Sequence, residues 1–415
     1  MEIFLLYLNA FLRPILSVDL TGGRTTITEF SEVMELNNWA AIGLFVLLAV
    51  AFLSNTALRK NIRLSAVDLM IWMFGLWCMS IFVIYIDEAN ARETVKLLFP
   101  LFTYIVAKNV LRDRMQYQRM IAFMIIGFLL PVFWSAGMIM MGMSIEEVNY
   151  WTQVPRFKGI YPAAHNMGHN MTFLLMVISV HVALKKPAEE ASQHGRQLTK
   201  VHLPTLLLAI TALYCLGMAQ ARTQIVATIA FLGYYLYVFQ RKMFFVAASI
   251  GTVAAIAFAP LYFNNLFYEL DKVTTGEWEA DKLASARPMI WRDNLERYAN
   301  ISFDRQLAGV GIGNKTHLGG SSGLMDSHND YLDLMIQTGV VGLLLYIGLQ
   351  ITIFRKILAL PGKEKHVFGA IFVVVVLMSI ISNGYITRSA MAQMFFLTMA
   401  YIELPRKQNY AVHKA

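Results

Sequence analysis

Ser327–Tyr346 reads S-H-N-D-Y-L-D-L-M-I-Q-T-G-V-V-G-L-L-L-Y, and it decides what kind of chain this is. It opens like a helix start. Ser327 suits an N-cap that accepts a backbone N–H, and Asp330, three residues on, supplies a capping-box-like carboxylate at the positive helix end. His328 is expected in the first helical turn, where the helix dipole disfavours protonation of an imidazole. Asp330, Asp333 and Gln337 recur at i, i+3 and i+7 and share one helix face. The residues that follow are almost wholly apolar, so the segment enters a membrane, and its polar stripe is expected to face a cavity or the bundle interior. The spacing alone leaves two readings of His328 open: a base at a site, or an interfacial anchor on a capped helix.

The whole chain agrees with that segment. Of 415 residues, 57% are hydrophobic and only 15% charged, against about 25% charged in soluble domains. Mean hydropathy is +0.52. The fold class is therefore all-α, a polytopic membrane protein. Twelve apolar stretches are long enough to be considered as spans: 1–18 (weak), 38–55, 65–86, 94–110, 119–143, 164–184, 203–219, 223–239, 243–262, 331–354, 366–382 and 389–404. Arg13 weakens the first, unless it snorkels from near a helix end. Cys78 and Cys215 lie in apolar runs and read as core residues, not a disulfide. No cleavable signal peptide is evident, because Met1–Val18 lacks a basic leading region.

Loop charge gives an independent check. With the N-terminus in the cytoplasm, the inner loops around Arg59–Arg63, Lys108–Arg119, Lys185–Lys200, Arg241-Lys242 and Arg355–Lys365, with the tail from Arg406, collect more than half of the 35 Lys and Arg. The outer loops carry few cations and several acids, such as Asp19, Glu29, Asp87 and Glu88. This is a positive-inside pattern, so the net charge of +8 reports topology and not nucleic-acid binding. Both termini are then cytoplasmic. The chain divides into 1–262 (spans 1–9), 263–327 (a large outer loop between spans 9 and 10, helical over Ser285–Tyr298, with Trp291 as an interfacial anchor) and 328–415 (spans 10–12 and a cytoplasmic tail). A polar loop of that length reads as a lid or a site. Within it, Gly309-Val310-Gly311-Ile312-Gly313-Asn314 lacks the strand–helix frame of a nucleotide site and reads as a tight turn.

The few outer cations invite explanation. Arg222, Arg287 and Arg388, together with Arg156 and Lys158 in R-F-K-G-I-Y, stand where positive charge is disfavoured. Snorkelling toward lipid headgroups or local ion pairs is the plain account. The functional one is that guanidinium forks hold phosphate. Outer arginines plus one histidine at a helix start suggest an anionic lipid-linked substrate, with charge stabilised by arginine and a proton taken by histidine. Metal chemistry has little support. There is no Asp-x-Asp pair, Glu277-Trp-Glu279 being the nearest imitation. His317, Asp326 and His328 form only a loose set, and His165 with His169, at i and i+4, reads as the polar lining of a helix end. No metal and no cofactor are expected.

His328-Asn329, nine residues, then Gly339-Val340-Val341-Gly342 resembles the H-N-x9-G-x-x-G signature of bacterial O-antigen ligases, within the superfamily of O-antigen ligases, polymerases and O-oligosaccharyltransferases. Twelve spans with a large loop before the histidine helix also match. The resemblance implies inverting, metal-independent transfer of a preassembled glycan. The donor is undecaprenyl pyrophosphate and the acceptor a lipid A-core sugar hydroxyl, at the periplasmic face of a Gram-negative inner membrane. It implies that His328 is the catalytic base and that Arg222 and Arg287 hold the pyrophosphate, with Arg156, Lys158 and Arg388 as further substrate-binding candidates. Lipids and the two lipid-linked substrates are the implied partners. An O-antigen polymerase or a protein O-oligosaccharyltransferase shares the signature, although only two spans and a short tail follow the histidine helix here. A polyisoprenyl-lipid transporter would use the arginines without needing a base.

Overall fold

The computed structural model describes residues 1–18, 27–55, 62–86, 90–143, 145–148, 155–184, 203–252, 272, 274–276, 283–313, 327–382, 384–386 and 388–405. The protein is an all-α polytopic membrane protein, with one small hairpin that the sequence did not signal. In chain order its elements are α1 (Glu2–Ile15), α2 (Ile27–Ser54), α3 (Ala66–Ile84), α4 (Ala91–Val110), α5 (Arg114–Gly127), α6 (Leu129–Met140), β1 (Ile145–Val148), β2 (Pro155–Phe157), α7 (Ala164–Leu184), α8 (Leu203–Ala219), α9 (Arg222–Phe239), α10 (Leu283–Ala299), α11 (Phe303–Ala308), α12 (Asp330–Leu358), α13 (Glu364–Ile381) and α14 (Ser389–Met399). Residues 241–252 are also helical. β1 and β2 pair antiparallel, with Val148 opposite Pro155.

Among the described residues, six helical segments are long and apolar enough to cross a membrane: Leu36–Ser54, Ala66–Ile84, Arg114–Met140, Ala164–Leu184, Asp330–Leu358 and Glu364–Ile381. Leu203–Ala219 is apolar but shorter. The expected span 119–143 is two helices joined at Phe128, starting five residues earlier at Arg114. The outer end of the expected span 243–262, the loop Lys185–Lys200, His317, Asp326, Glu277, Glu279 and the tail beyond 405 lie outside the described residues.

α7 is the most enclosed of the six. It packs against α8 and α9, while α12 lies on α3, α14 on α4, α1 on α5 and α9 on α13. Cys78 and Cys215 are free and buried in this core, as their surroundings in sequence imply. Arg13 departs from expectation. It does not snorkel: it is 1% exposed, donates to Ser389 Oγ at 3.1 Å and lies 5.5 Å from the Phe99 ring centroid. At the start of α3, Ser65 and Asp68 form a capping box, and Asp68 is also bound by Lys108 of α4 in a buried ion pair.

The glycine-rich segment is a tight turn, and its geometry explains why α12 is broken. Gly339 sits inside α12 with φ 72° and ψ 177°, so the helix is two half-helices meeting at that residue. A Cβ there would stand 2.0 Å from Leu307 O, and one on Gly309 (φ 84°) would stand 2.4 Å from Gln337 O. Only glycines let the two backbones approach so closely. The carbonyls freed by the break find donors: Val310 N–H donates to Ile336 O at 2.9 Å, and Trp77 Nε1–H to Thr338 O at 2.9 Å. Gln337 Oε1 accepts the Gly313 N–H at 3.0 Å, and Ile312 O accepts the Asn90 N–H at 2.9 Å, which ties the turn to the start of α4. Tyr298, Val310, Leu332 and Ile336 form a small second core beside the turn. Burial pushes the Tyr298 phenol up to about 12, so it remains protonated and donates to Gln306 O.

Candidate functional site

α12 does not start as its sequence suggests. The helix begins at Asp330, and its N-cap is Asn329, whose side-chain oxygen accepts the N–H groups of Tyr331 (3.0 Å) and Leu332 (3.1 Å). Ser327 caps nothing in the helix. Its hydroxyl accepts the Asn329 N–H at 3.1 Å and donates to Asp333 Oδ1 at 2.7 Å. His328 is therefore not in the first turn but just ahead of the helix, exposed, with φ 51°. Sequence reasoning chose Ser327 because either residue can cap; the bond from Ser327 to Asp333 decides for Asn329.

The polar stripe does face inward, but its members are occupied by the chain itself. Asp330 Oδ2 accepts three successive backbone N–H groups, from Gly384 (3.0 Å), Tyr385 (3.0 Å) and Ile386 (3.1 Å), in the short connection between α13 and α14. Such a row of amides is an anion nest. Asp333 holds Ser327, and Gln337 holds the glycine turn. Each thus anchors a loop near His328.

Two of the candidate cations, Arg287 and Arg388, stand at the two ends of that connection, 382–388. Arg287, on α10, donates from Nη1 to Ile381 O at 2.5 Å, at the end of α13, where a cation also complements the helix dipole. Ser382 Oγ lies 3.2 Å from His169 Nε2 and 3.4 Å from Gln224 Nε2, and Gln224 Nε2 is 3.0 Å from His169 Nε2. Arg388 Nη2 donates to His165 Nε2 at 2.6 Å. A guanidinium has no acceptor, so this nitrogen of His165 accepts and the imidazole carries its proton on Nδ1. Arg388, Arg156, His328 and Arg287 all lie near enough to His165 for their charges to reach its ring.

His165 and His169, which the sequence offers as a possible ligand pair, diverge in role. His169 is fully buried, packed edge-on against Tyr385 at 5.6 Å, while His165 faces the arginines. Among the described residues, no group of three or more His, Cys, Asp or Glu side chains is placed to hold a metal ion.

The remaining candidates are Arg222, Arg156 and Lys158. Arg222 is the first residue of α9, half-buried beside the cluster. A Cβ on Gly168 of α7 would meet the neighbouring Ala221 at 2.8 Å, and Gln224, two residues on, reaches His169. Arg156 is on β2 and half-buried. Lys158 is half-buried in the turn that follows, and its carbonyl accepts the Tyr161 N–H at 3.0 Å. Among the described residues, its side chain forms no hydrogen bond or ion pair with the other candidates. Trp291 is more than an interfacial anchor: its Nε1–H donates to Ser327 O at 2.6 Å, fixing α10, and with it Arg287, beside His328.

Local pattern marks Asp330 as a capping carboxylate and His165 as the polar lining of a helix end, but not what either one binds. Their partners are more than fifty and more than two hundred residues away, and no local pattern encodes them. A further signal is conformational. Among the described residues, two non-glycine residues have positive φ: His328 (51°) and Gln220 (49°), the latter two positions before Arg222. Backbone strain of this kind concentrates at functional sites.

Chemically, the site offers the guanidinium groups of Arg287 and Arg388, a residue type suited to phosphate, and the exposed imidazole of His328. Residues 207–347, about one third of the chain, match the family model described as O-antigen ligase. The match runs from within α8 through α9, α10 and α11 into α12, and so includes Arg222, Arg287 and His328 but not Arg156, Lys158 or Arg388. No curated protein matches the chain. The H-N-x9-G-x-x-G segment lies inside the matched region, so this part of the chain is similar to the O-antigen ligase family.

Proposed function

We propose that this chain is an O-antigen ligase. It transfers a preassembled glycan from undecaprenyl pyrophosphate to a lipid A-core sugar hydroxyl, with inversion and without a metal ion. The observation that carries this reading is the exposed His328 beside α10, whose Trp291 bonds Ser327 O and whose Arg287 reaches the end of α13, near the Arg388–His165 pair. His328 takes the proton of the acceptor hydroxyl. That oxygen attacks the anomeric carbon from the face opposite the pyrophosphate. The anomeric C–O bond breaks, and its electron pair leaves on the pyrophosphate oxygen. Arg222, Arg287 and Arg388, with Arg156 and Lys158 beside them, hold that anion and stabilise its growing charge. The exposure of His328 supports this role, since a base must meet an incoming hydroxyl.

The reading brings a topology with it. The chain has twelve spans, both termini in the cytoplasm, a large outer loop over 263–327 ahead of the histidine helix, and a site that faces the periplasm of a Gram-negative inner membrane. The positive-inside charge pattern supports that orientation.

Lipopolysaccharide from a strain deleted for this gene, complemented with wild type or His328→Ala, tests the proposal. Bare lipid A-core in the deletion, with a ladder restored by wild type alone, is the expected result. Persisting single-repeat caps would make it a polymerase. A ladder restored by His328→Ala would remove the base and favour a transporter.

A further inference from the structure

We propose that Asp330 is a positioning residue: its carboxylate fastens the 382–388 connection to the helix that begins beside His328, and so sets Arg388 relative to that histidine. The inference rests on the function proposed above. A single carboxylate oxygen, fully buried, accepts N–H groups from Gly384, Tyr385 and Ile386 at 3.0, 3.0 and 3.1 Å. Hydrogen bonds to an ionised acceptor are roughly twice as strong as neutral ones. An acid in the first turn of a helix has a local role as well, but a dipole interaction does not require three amides from another part of the chain.

The connection has other moorings: Arg287 at Ile381 O, His169 and Gln224 at Ser382, His165 at Arg388 and Arg13 at Ser389. Of these ties, the one from α12, the helix next to His328, is that of Asp330. It is a short lever on both sides. Asp330 is two positions from His328, and Ile386 two positions from Arg388. Transfer needs the acceptor hydroxyl at the base and the pyrophosphate at the arginines in one line. A displacement of about 1 Å between such groups can cost about 100-fold in rate. Asp330 is buried with one oxygen taken up by three backbone amides, so it acts through Arg388.

The test uses full-length protein in lipid nanodiscs, as wild type, Asp330→Asn, Asp330→Ala, Arg388→Ala and Asp330→Asn/Arg388→Ala. Amide hydrogen exchange is read at Gly384, Tyr385 and Ile386, together with the rate of glycan transfer and retention of undecaprenyl pyrophosphate. Asp330→Asn keeps the side-chain shape if Asp330→Ala fails to fold. We expect these three amides to exchange at least about 10-fold faster in Asp330→Asn while α12 and α13 stay protected, since each lost charge-assisted bond is worth about a factor of ten. Transfer should fall by about 100-fold, and adding Asp330→Asn to Arg388→Ala should lower the rate by no more than about two-fold, as coupled residues do.

Unchanged exchange overturns the proposal. So does a double variant whose losses multiply, because Asp330 would then act independently of Arg388. A wild type that retains the lipid pyrophosphate but transfers nothing refutes the proposed function separately. Retention then decides for Asp330: a fall in parallel with faster exchange upholds its role, and unchanged retention ends it.

Discussion

Gly339→Ala should be among the most damaging single-methyl changes in this protein. At φ 72° and ψ 177°, position 339 lies in a region that is essentially restricted to glycine. Forcing alanine into it costs about 1–3 kcal/mol. The new Cβ would also stand 2.0 Å from Leu307 O and 2.6 Å from Ala308 N, so α11 must move away from α12. That movement breaks the bonds from Val310 N–H to Ile336 O (2.9 Å) and from Gly313 N–H to Gln337 Oε1 (3.0 Å). At about 1 kcal/mol each, they bring the expected loss to about 3–5 kcal/mol. Gly348→Ala, in the same helix, is the control. Its Cβ would meet only the flexible end of Met70, with Cε at 2.6 Å. Alanine regains up to about 1 kcal/mol of helix propensity there, so the net effect is near zero. SDS-titration unfolding in detergent micelles, followed by tryptophan fluorescence, separates the two variants. A Gly339→Ala protein within about 1 kcal/mol of wild type, or a Gly348→Ala loss of equal size, would refute this account of the helix break.

His328→Ala should abolish transfer while leaving the unfolding midpoint within about 0.5 kcal/mol of wild type, because the side chain is exposed; transfer at the wild-type rate removes it as base. Arg222→Lys and Arg287→Lys should each lose at least about 10-fold in transfer rate, since an ammonium lacks the bidentate fork; full activity of either variant would show that charge alone suffices there. Lys108→Met should destabilise by about 3–5 kcal/mol by leaving Asp68 buried without its cation, and Lys108→Met/Asp68→Leu should recover only part of this, because Asp68 also caps α3; equal stability of single and double variants would contradict the ion-pair account. Transfer should persist after dialysis against EDTA, and a loss restored by a divalent metal would overturn the proposed mechanism.

Composition and hydropathy make the class of this fold legible, because burial in lipid imposes its pattern on whole segments. The glycine turn at 309–313 was legible for a related reason: without a strand–helix unit, repeated glycine means close backbone approach. The candidate site was legible as a set of residue types but not in its connections. Outer arginines and His328 stood out because the membrane disfavours them, whereas Asp330 and Ser327 were misread through local rules of helix capping. Those rules rank side chains within a turn. They do not register that Gly384–Ile386 offer Asp330 three amides, or that Asp333 claims the Ser327 hydroxyl. Arg13 was misjudged likewise, since its partner Ser389 lies at the far end of the chain. The hairpin at 145–157 is too short to leave a periodicity.

The left-handed backbone at His328 sets durability against activity. A glycine at 328 would adopt φ 51° without penalty and remove about 1 kcal/mol of strain. It would thereby give a hardier protein with no imidazole at the mouth of the site. Screening variants of this chain for heat resistance would therefore reward loss of the group on which its proposed chemistry depends. Stabilised forms should be chosen by turnover first and melting temperature second.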